Sequence, residues 1–112
     1  MAGEPTYLEL GVPDTAAARR FYGELLGWEP SGDSGNGSLD TATLAVGMHG
    51  DDPSPGFLVF LGVEDLEASL TVLERLGGSS DGEVHEAPGF GRYAICVDDQ
   101  GVRFGLHQPE PS

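Results

Sequence analysis

A strand followed by a helix occurs twice in this chain, and the two copies are 51 residues apart. The first copy runs from Tyr7 to Pro30 and the second from Leu58 to Gly78. Two copies are too few for a solenoid, which needs about three or more. The repeat therefore predicts two similar modules folded into one domain. The residues that match at this offset include Gly11 and Gly62, Val12 and Val63, Asp14 and Asp65, Leu25 and Leu76, and Gly27 and Gly78.

The local pattern of each copy indicates where its strand and helix begin and end. Leu8, Leu10 and Val12 are apolar at every second position, which is the period of a half-buried strand. Asp14 is a typical N-cap residue and Gly27 a typical C-cap residue, so we expect a helix over 15–26. Asp65 takes the same N-cap position before a second helix over 66–76.

The elements together predict an α+β fold made of two βαβββ modules, about 1–50 and 56–112. A Gly/Asp/Pro-rich linker at 49–55 joins the two modules. A helix covers one face of each curved mixed sheet, so we expect helices on the outer faces and an open cup where the uncovered faces meet. Further strands are predicted at 39–48, 57–63, 83–86, 92–97 and 102–107.

Composition narrows the classes of partner. The 112 residues include five basic and nineteen acidic side chains, for a net charge of −14. This charge argues against DNA, RNA or anionic membranes as partners, and it permits a cationic ligand or serves solubility alone. A single cysteine, Cys96, excludes an internal disulfide and a multi-cysteine zinc site. With no signal-peptide pattern at the N-terminus and no apolar run of roughly 20 residues, we expect a cytoplasmic protein.

The strand pattern places several side chains on the uncovered faces. Tyr7, Glu9, Leu58 and Phe60 would form an apolar and aromatic floor with one carboxylate and one hydroxyl, which is typical of a small-molecule site. Alternatively, Leu58 and Phe60 close a dimer interface or belong to a plain core. Phe90 lies in a Gly/Pro loop that precedes the next strand.

The few basic side chains are further candidates. Arg92, directly after the Phe90 loop, could bind a ligand carboxylate or stack on a flat ring, and it could equally pair with one of the nineteen acids. His107 has the same parity as Gly105, so we expect it to face the cup. His85 follows Glu83 by two residues, which predicts a carboxylate–imidazole pair on one strand face. A metal site at His85 and His107 is an alternative to scattered histidines, although no ligand triplet at a known spacing appears.

Several segments taken together resemble a known family. They are Val12-Pro13-Asp14, the helix end at 21–28 (FYGELLGW), Val63-Glu64-Asp65 with Leu76-Gly77-Gly78, and the closing stretch at 98–106 (DDQGVRFGL). In this order they resemble the vicinal oxygen chelate superfamily, which includes glyoxalase I, extradiol dioxygenases, and fosfomycin- and bleomycin-resistance proteins. The resemblance implies paired βαβββ modules, usually a homodimer, with the ligand held in the cups.

The resemblance also implies where a divalent metal would bind in the enzymes of this superfamily. Its ligands are a His or Gln seven residues before each module's Asp, and a Glu four residues after the last turn glycine. These positions hold Tyr7, Leu58 and Gly105 in this chain. Leu and Gly offer no ligand atom, so we expect no metal, no cofactor and no catalytic residue here.

Two functions of different classes follow. The first is a non-catalytic protein, closest to the bleomycin-resistance type, that sequesters an aromatic or cationic natural product or antibiotic through Tyr7, Glu9, Leu58, Phe60, Phe90, Arg92 and His107. The alternative is a metal-dependent lyase, isomerase or dioxygenase with shifted ligands. A metal-free enzyme that uses Tyr7, Glu9 or His107 as an acid or base is a further alternative.

Overall fold

The computed structural model describes residues 3–30, 39–41 and 43–110. The chain divides into two compact units. We call Tyr7–Leu58 the N-terminal unit, and Val59–Ser112 together with Met1–Thr6 the C-terminal unit. The α+β class predicted from the sequence is confirmed, whereas the joining of two modules into one domain with a cup stays a prediction. The elements are β1 (Pro5–Gly11), α1 (Thr15–Leu26), β2 (Glu29–Pro30), β3 (Leu39–Asp40), β4 (Ala45–His49), β5 (Gly56–Gly62), α2 (Leu66–Arg75), β6 (Ser79–Ser80), β7 (His85–Ala87), β8 (Gly91–Val97) and β9 (Arg103–Pro109).

The N-terminal unit has the expected βαβββ order, with its strands arranged β2-β3-β4-β1. Strand β1 runs parallel to β4, and Gly11 lies opposite His49 in this pairing. Helix α1 begins where predicted, because the Asp14 side chain accepts hydrogen bonds from two amides of the first turn at 3.0 and 3.2 Å. It ends at Gly27, whose φ of 75° is the left-handed conformation that favours glycine.

The core of the N-terminal unit lies between α1 and one face of this sheet. Leu10, Val46 and Met48 are buried there against Ala18 of the helix, and Leu8 and Tyr22 pack at the edge. Since side chains alternate along a strand, Tyr7 and Glu9 of β1 and His49 of β4 lie on the other face. The alternation of apolar and polar residues in the sequence of β1 thus correctly predicted which of its side chains face the helix and which face away from it.

The single strand predicted over 39–48 is instead two strands, β3 and β4, which pair antiparallel. Thr41 accounts for the break. Its Oγ1 accepts a hydrogen bond from Leu44 N at 2.9 Å and donates one to Leu44 O at 2.9 Å. A hydroxyl that binds nearby backbone groups in this way competes with the regular strand ladder and favours a turn.

The C-terminal unit repeats the plan with one more short strand. Its order is β5-β9-β8-β6, and β7 also pairs with β8. Helix α2 covers a core of Leu66, Ala94, Cys96 and Leu106. The strand predicted over 83–86 forms at His85–Ala87. None of the helices in the described ranges is long and apolar enough to cross a membrane.

Candidate functional site

A hydrogen-bonded chain of four side chains lies on the face of the N-terminal sheet that α1 does not cover. The Tyr7 hydroxyl donates to Glu9 Oε1 at 2.9 Å. Glu9 Oε2 lies 2.6 Å from His49 Nδ1, and His49 Nε2 lies 2.7 Å from Asp52 Oδ2. We call Tyr7, Glu9, His49 and Asp52 the polar chain. It connects β1, β4 and the loop that follows β4.

Two glycines make room for the polar chain. A Cβ atom at Gly47 would overlap the Tyr7 hydroxyl and the Glu9 carboxylate. A Cβ atom at Gly11 would overlap Asp52 Oδ2 and His49 Nε2. Any other residue at these strand positions would therefore displace the side chains that form the chain of hydrogen bonds.

His49 is the centre of the polar chain, and its environment favours the imidazolium form. Hydrogen bonding to the Glu9 carboxylate first, and then to that of Asp52, raises the pKa of His49 above its ordinary value, although desolvation opposes this. The imidazolium has two N–H donors, one for each carboxylate. The His49 side chain remains 49% exposed, so this proton exchanges with solvent without unfolding.

The sequence predicted only half of the polar chain. Tyr7 and Glu9 were expected on the uncovered face and lie there, in direct contact. His49 and Asp52 belong to the predicted linker at 49–55 and were not among the predicted ligand-binding residues. The signal that reveals them is the parallel register that sets His49 opposite Gly11, and register between distant strands cannot be read from local periodicity. Leu58 lies on β5 and is half-buried.

A second cluster, of five rings, forms in the C-terminal unit. Phe60, Phe90 and Tyr93 meet edge to face, with centroids 5.6 to 5.9 Å apart. His107 stacks on Phe90 at 3.8 Å, and His85 stacks on Tyr93 at 5.0 Å. We call these five residues the ring cluster. It includes three of the predicted ligand-binding residues, Phe60, Phe90 and His107, and it adds Tyr93 and His85.

The rings differ in exposure. Phe60 and His107 are 4% and 5% exposed, so they form the base of the cluster. Phe90, Tyr93 and His85 are partly exposed and present ring surface to the solvent. Both nitrogens of His107 are engaged, because Nε2 donates to the Phe90 carbonyl at 2.8 Å and Nδ1 lies 2.8 Å from Thr6 Oγ1. His107 is thus a satisfied buried residue that supports the ring surface.

The carboxylate–imidazole pair predicted from Glu83 and His85 is not the one that forms. His85 Nε2 lies 3.6 Å from Asp81 Oδ2 instead, at an ion-pair distance that is too long for a strong hydrogen bond. The reason is that β7 begins at His85, so Glu83 lies before the strand and does not share a strand face with it. The described residues include no group of three His, Cys, Asp or Glu side chains that could hold a metal ion, and the metal site predicted as an alternative at His85 and His107 stays a prediction.

Arg92 pairs with an acid rather than facing the ring cluster. Its Nη1 donates to Glu67 Oε1 at 3.0 Å, and its Nη2 contacts the other carboxylate oxygen. This contact lowers the pKa of Glu67. Arg92 Nε is buried without a hydrogen-bond partner in the described part of the chain, and Glu86 is 3.8 Å away. A cleft of about 450 Å³ beside Arg92 is lined by Glu86, Gln108 and Glu110, among others. Two carboxylates beside a guanidinium that is already paired disfavour an anionic ligand there.

The residues at the three metal positions of the resemblance do not fit a divalent ion. Tyr7 donates its hydroxyl to Glu9, and Leu58 has only a hydrocarbon side chain. Gly105 is paired with Phe60 on the neighbouring strand, and the Phe60 ring fills the space that a side chain at 105 would enter. An aromatic ring therefore lies where a ligating carboxylate would project.

Two curated relatives of the chain come from Streptomyces. It is 28% identical over 127 residues to the anthracycline biosynthesis protein DnrV of Streptomyces peucetius, and equally to DauV of Streptomyces sp. strain C5. Each alignment covers 93% of this chain and 46% of the relative. The chain thus spans about half the length of the curated relatives it matches.

Solved structures share the fold at low sequence identity. Methylmalonyl-CoA epimerase from Mycobacterium tuberculosis superposes with a TM-score of 0.74 at 18% identity, over 96% of this chain and 89% of that one. Homoprotocatechuate 2,3-dioxygenase from B. fuscum gives 0.73 at 21% identity, over 98% and 33%. These likenesses establish the fold alone.

A family model covers almost the whole chain. The model of the Glyoxalase/Bleomycin resistance protein/Dioxygenase superfamily matches residues 5–106, which include both helices and nearly every strand. The resemblance found in the sequence is thereby confirmed at the level of the superfamily. The chain belongs to the Glyoxalase/Bleomycin resistance protein/Dioxygenase superfamily.

Proposed function

We propose that this chain binds a planar aromatic natural product through the ring cluster, without a metal ion, and releases it unchanged. The observation that carries this proposal is the exposed ring surface of Phe90, Tyr93 and His85. It rests on two buried rings, Phe60 and His107, that hold it in place. Flat ring surfaces on a rigid base suit a flat ligand, since stacked and edge-to-face contacts add to the burial of apolar area.

Two further observations support binding over metal chemistry. The Phe60 ring fills the space above Gly105, where the superfamily's enzymes carry a carboxylate. The curated relatives are named for anthracycline biosynthesis, which points to a polycyclic aromatic ligand. We also propose that the protein is a cytoplasmic homodimer that sequesters a drug, as proteins of the bleomycin-resistance type do.

The test is a calorimetric titration of the purified protein with an anthracycline, with and without EDTA. We expect binding at about one equivalent per chain with Kd below roughly 10 µM, which corresponds to about −7 kcal/mol. EDTA should leave the affinity unchanged, and chromatography of the recovered ligand should find no product. Light scattering on the same sample measures whether the protein is a dimer.

Single substitutions test whether the ligand binds at the ring cluster. Phe90→Ala removes a partly exposed ring from the cluster and should weaken binding at least tenfold, because stacking on one aromatic side chain is worth about 1–3 kcal/mol. Phe57→Ala is the matched control, since Phe57 is an exposed ring in the N-terminal unit outside the cluster. Equal affinities of wild type, Phe90→Ala and Tyr93→Ala would refute the assignment.

The polar chain supports a second candidate, a metal-free enzyme that moves a proton. A phenol, two carboxylates and an imidazolium linked at 2.6 to 2.9 Å can deliver or remove a proton without a cofactor. Tyr7 at one end of the chain would act on the ligand, and His49 would act through Glu9. This candidate predicts exchange of a ligand C–H proton for deuterium.

Deuterium exchange distinguishes the two candidates. The anthracycline is incubated with the protein in D2O and EDTA, and its C–H signals are followed by NMR. Exchange in the wild type that is lost in Tyr7→Phe would favour the enzyme. Tight binding without exchange in either protein would leave the binding function alone.

A further inference from the structure

The loop after β4 is fixed to the end of β1 by backbone and side-chain contacts. Val12 N donates to His49 O at 3.0 Å, and Asp52 N donates back to Val12 O at 3.2 Å. Asp51 N donates to Pro13 O at 3.3 Å. The side-chain contacts are those of His49 with Glu9 on β1 and with Asp52 in the loop. We call residues 50–54 the latch segment.

The number of protons on His49 decides how many of these side-chain contacts survive. The imidazolium has an N–H for each carboxylate, whereas the uncharged ring has only one N–H. After loss of the proton, one ring nitrogen presents a lone pair to a carboxylate oxygen less than 3 Å away, which is repulsive. One of the two contacts must then break. Both carboxylates have a second partner, since the Tyr7 hydroxyl donates to Glu9 and Ser54 N donates to Asp52. Glu9 and His49 lie on the paired strands β1 and β4, whereas Asp52 lies in the loop, so the contact with Asp52 is the one to open.

We propose that His49, Glu9 and Asp52 form a proton-operated latch, in which the imidazolium at the end of β4 holds the latch segment through Asp52 and loss of its proton loosens the segment. This inference concerns the loop and is independent of any ligand. Among the described residues, the titratable groups in contact with His49 are Glu9 on β1 and Asp52 in the loop, and the Tyr7 hydroxyl donates to the other oxygen of Glu9. The carboxylates of Glu9 and Asp52 thus lie on either side of the His49 ring.

The direction of the pH dependence follows from these charges. The carboxylates raise the pKa of His49. The latch is therefore closed below the ordinary histidine value of about 6.5, and it opens as the pH rises through the raised pKa.

Gly11 offers a way to open the latch without removing a charge. A Cβ at this position would meet Asp52 Oδ2 and His49 Nε2, which are the far ends of two side chains. Such ends can move aside while the strand keeps its pairing. Gly11→Ala should thus separate the imidazole from Asp52 by size alone, and Asp52→Asn should weaken the same contact by charge alone.

The experiment is an NMR titration of the imidazole signals over about pH 5 to 9. His49 is identified by the signal lost in His49→Gln, and the exchange protection of the Asp52 amide is measured on the same samples. Asp51→Asn is the matched control, because Asp51 lies in the same loop and its φ of 55° also suits Asn. It removes the same charge without touching His49.

We expect the pKa of His49 to fall in both Asp52→Asn and Gly11→Ala and to stay near the wild-type value in Asp51→Asn. The protection of the Asp52 amide should drop roughly tenfold as wild-type His49 loses its proton, since a hydrogen bond to a charged group is lost. A drop of the pKa in Asp52→Asn without one in Gly11→Ala would overturn the latch, because general charge would then set the titration. Constant protection through the titration would overturn it as well.

Discussion

Replacing Gly105 with alanine should destabilise the C-terminal unit, and the cost should depend on Phe60. Gly105 and Phe60 are direct partners on neighbouring parallel strands. The added Cβ would overlap three carbons of the Phe60 ring, Cγ, Cδ2 and Cε2. The ring is 4% exposed and lies among Phe90 and Tyr93, so it has little room to turn away. Overpacking of this kind typically costs about 1–3 kcal/mol, and we expect the upper half of that range.

Phe60→Ala removes the obstacle. Alone it should cost about 3–5 kcal/mol, as for other buried aromatic residues. In that background Gly105→Ala should be neutral or slightly stabilising, since alanine suits a strand better than glycine by about 0.5–1 kcal/mol. The two substitutions should therefore show a favourable coupling of about 2–4 kcal/mol in a double-mutant cycle, which is the difference between the costs of Gly105→Ala in the two backgrounds.

Urea unfolding of the four proteins, followed by far-UV circular dichroism, measures the coupling. Gly56→Ala is the control, because a Cβ on that strand glycine would meet nothing within 4 Å. It should change the free energy of unfolding by less than the Gly105 variant does. Additivity of the two substitutions within about 0.5 kcal/mol would mean that the Phe60 ring does not occupy the space above Gly105.

Three further predictions concern single residues. Asp14→Ala should cost about 0.5–2 kcal/mol in urea unfolding, because two amides of the first turn of α1 lose their acceptor. Asp98→Ala should destabilise the protein at neutral pH but not in strong acid. Hydrogen bonds from backbone amides, the strongest from Val102 N, lower the pKa of Asp98. The stability that Asp98 contributes is therefore complete above the unfolded pKa of about 3.9 and is lost as the pH falls through the lowered pKa. The Cys96 thiol should react with Ellman's reagent only as the protein unfolds, because burial raises its pKa, and immediate reaction of the native protein would contradict this.

Local sequence patterns predicted most of the secondary structure. Asp14, Gly27 and Asp65 fix the helix ends through contacts within a few residues of themselves, so their effects can be read from the chain alone. The break between β3 and β4 was missed because the Thr41 hydroxyl competes with a strand pattern that looks continuous. The superfamily itself was evident from the order of several weak segments.

The candidate site was less predictable because it depends on register. Tyr7 and Glu9 could be placed on one face by alternation, but their contact with His49 depends on the pairing of strands about forty residues apart in sequence. Arg92 could not be assigned from sequence either, since Glu67 approaches it from a helix 25 residues away. Long-range geometry, rather than residue type, decides these partnerships.

The short strands along the outer edge of β8 should disfavour aggregation through that edge of the sheet. That edge is paired with two separate pieces, β6 of two residues and β7 of three, which leave between them a stretch at 81–84 that forms no strand. A long flat edge would offer unpaired amides and carbonyls to a strand from another molecule. Here the longest run along this edge is three residues, too short to template an added strand. With a net charge of −14 to keep molecules apart, the protein should stay dispersed at concentrations where a sheet with an open edge would form fibrils.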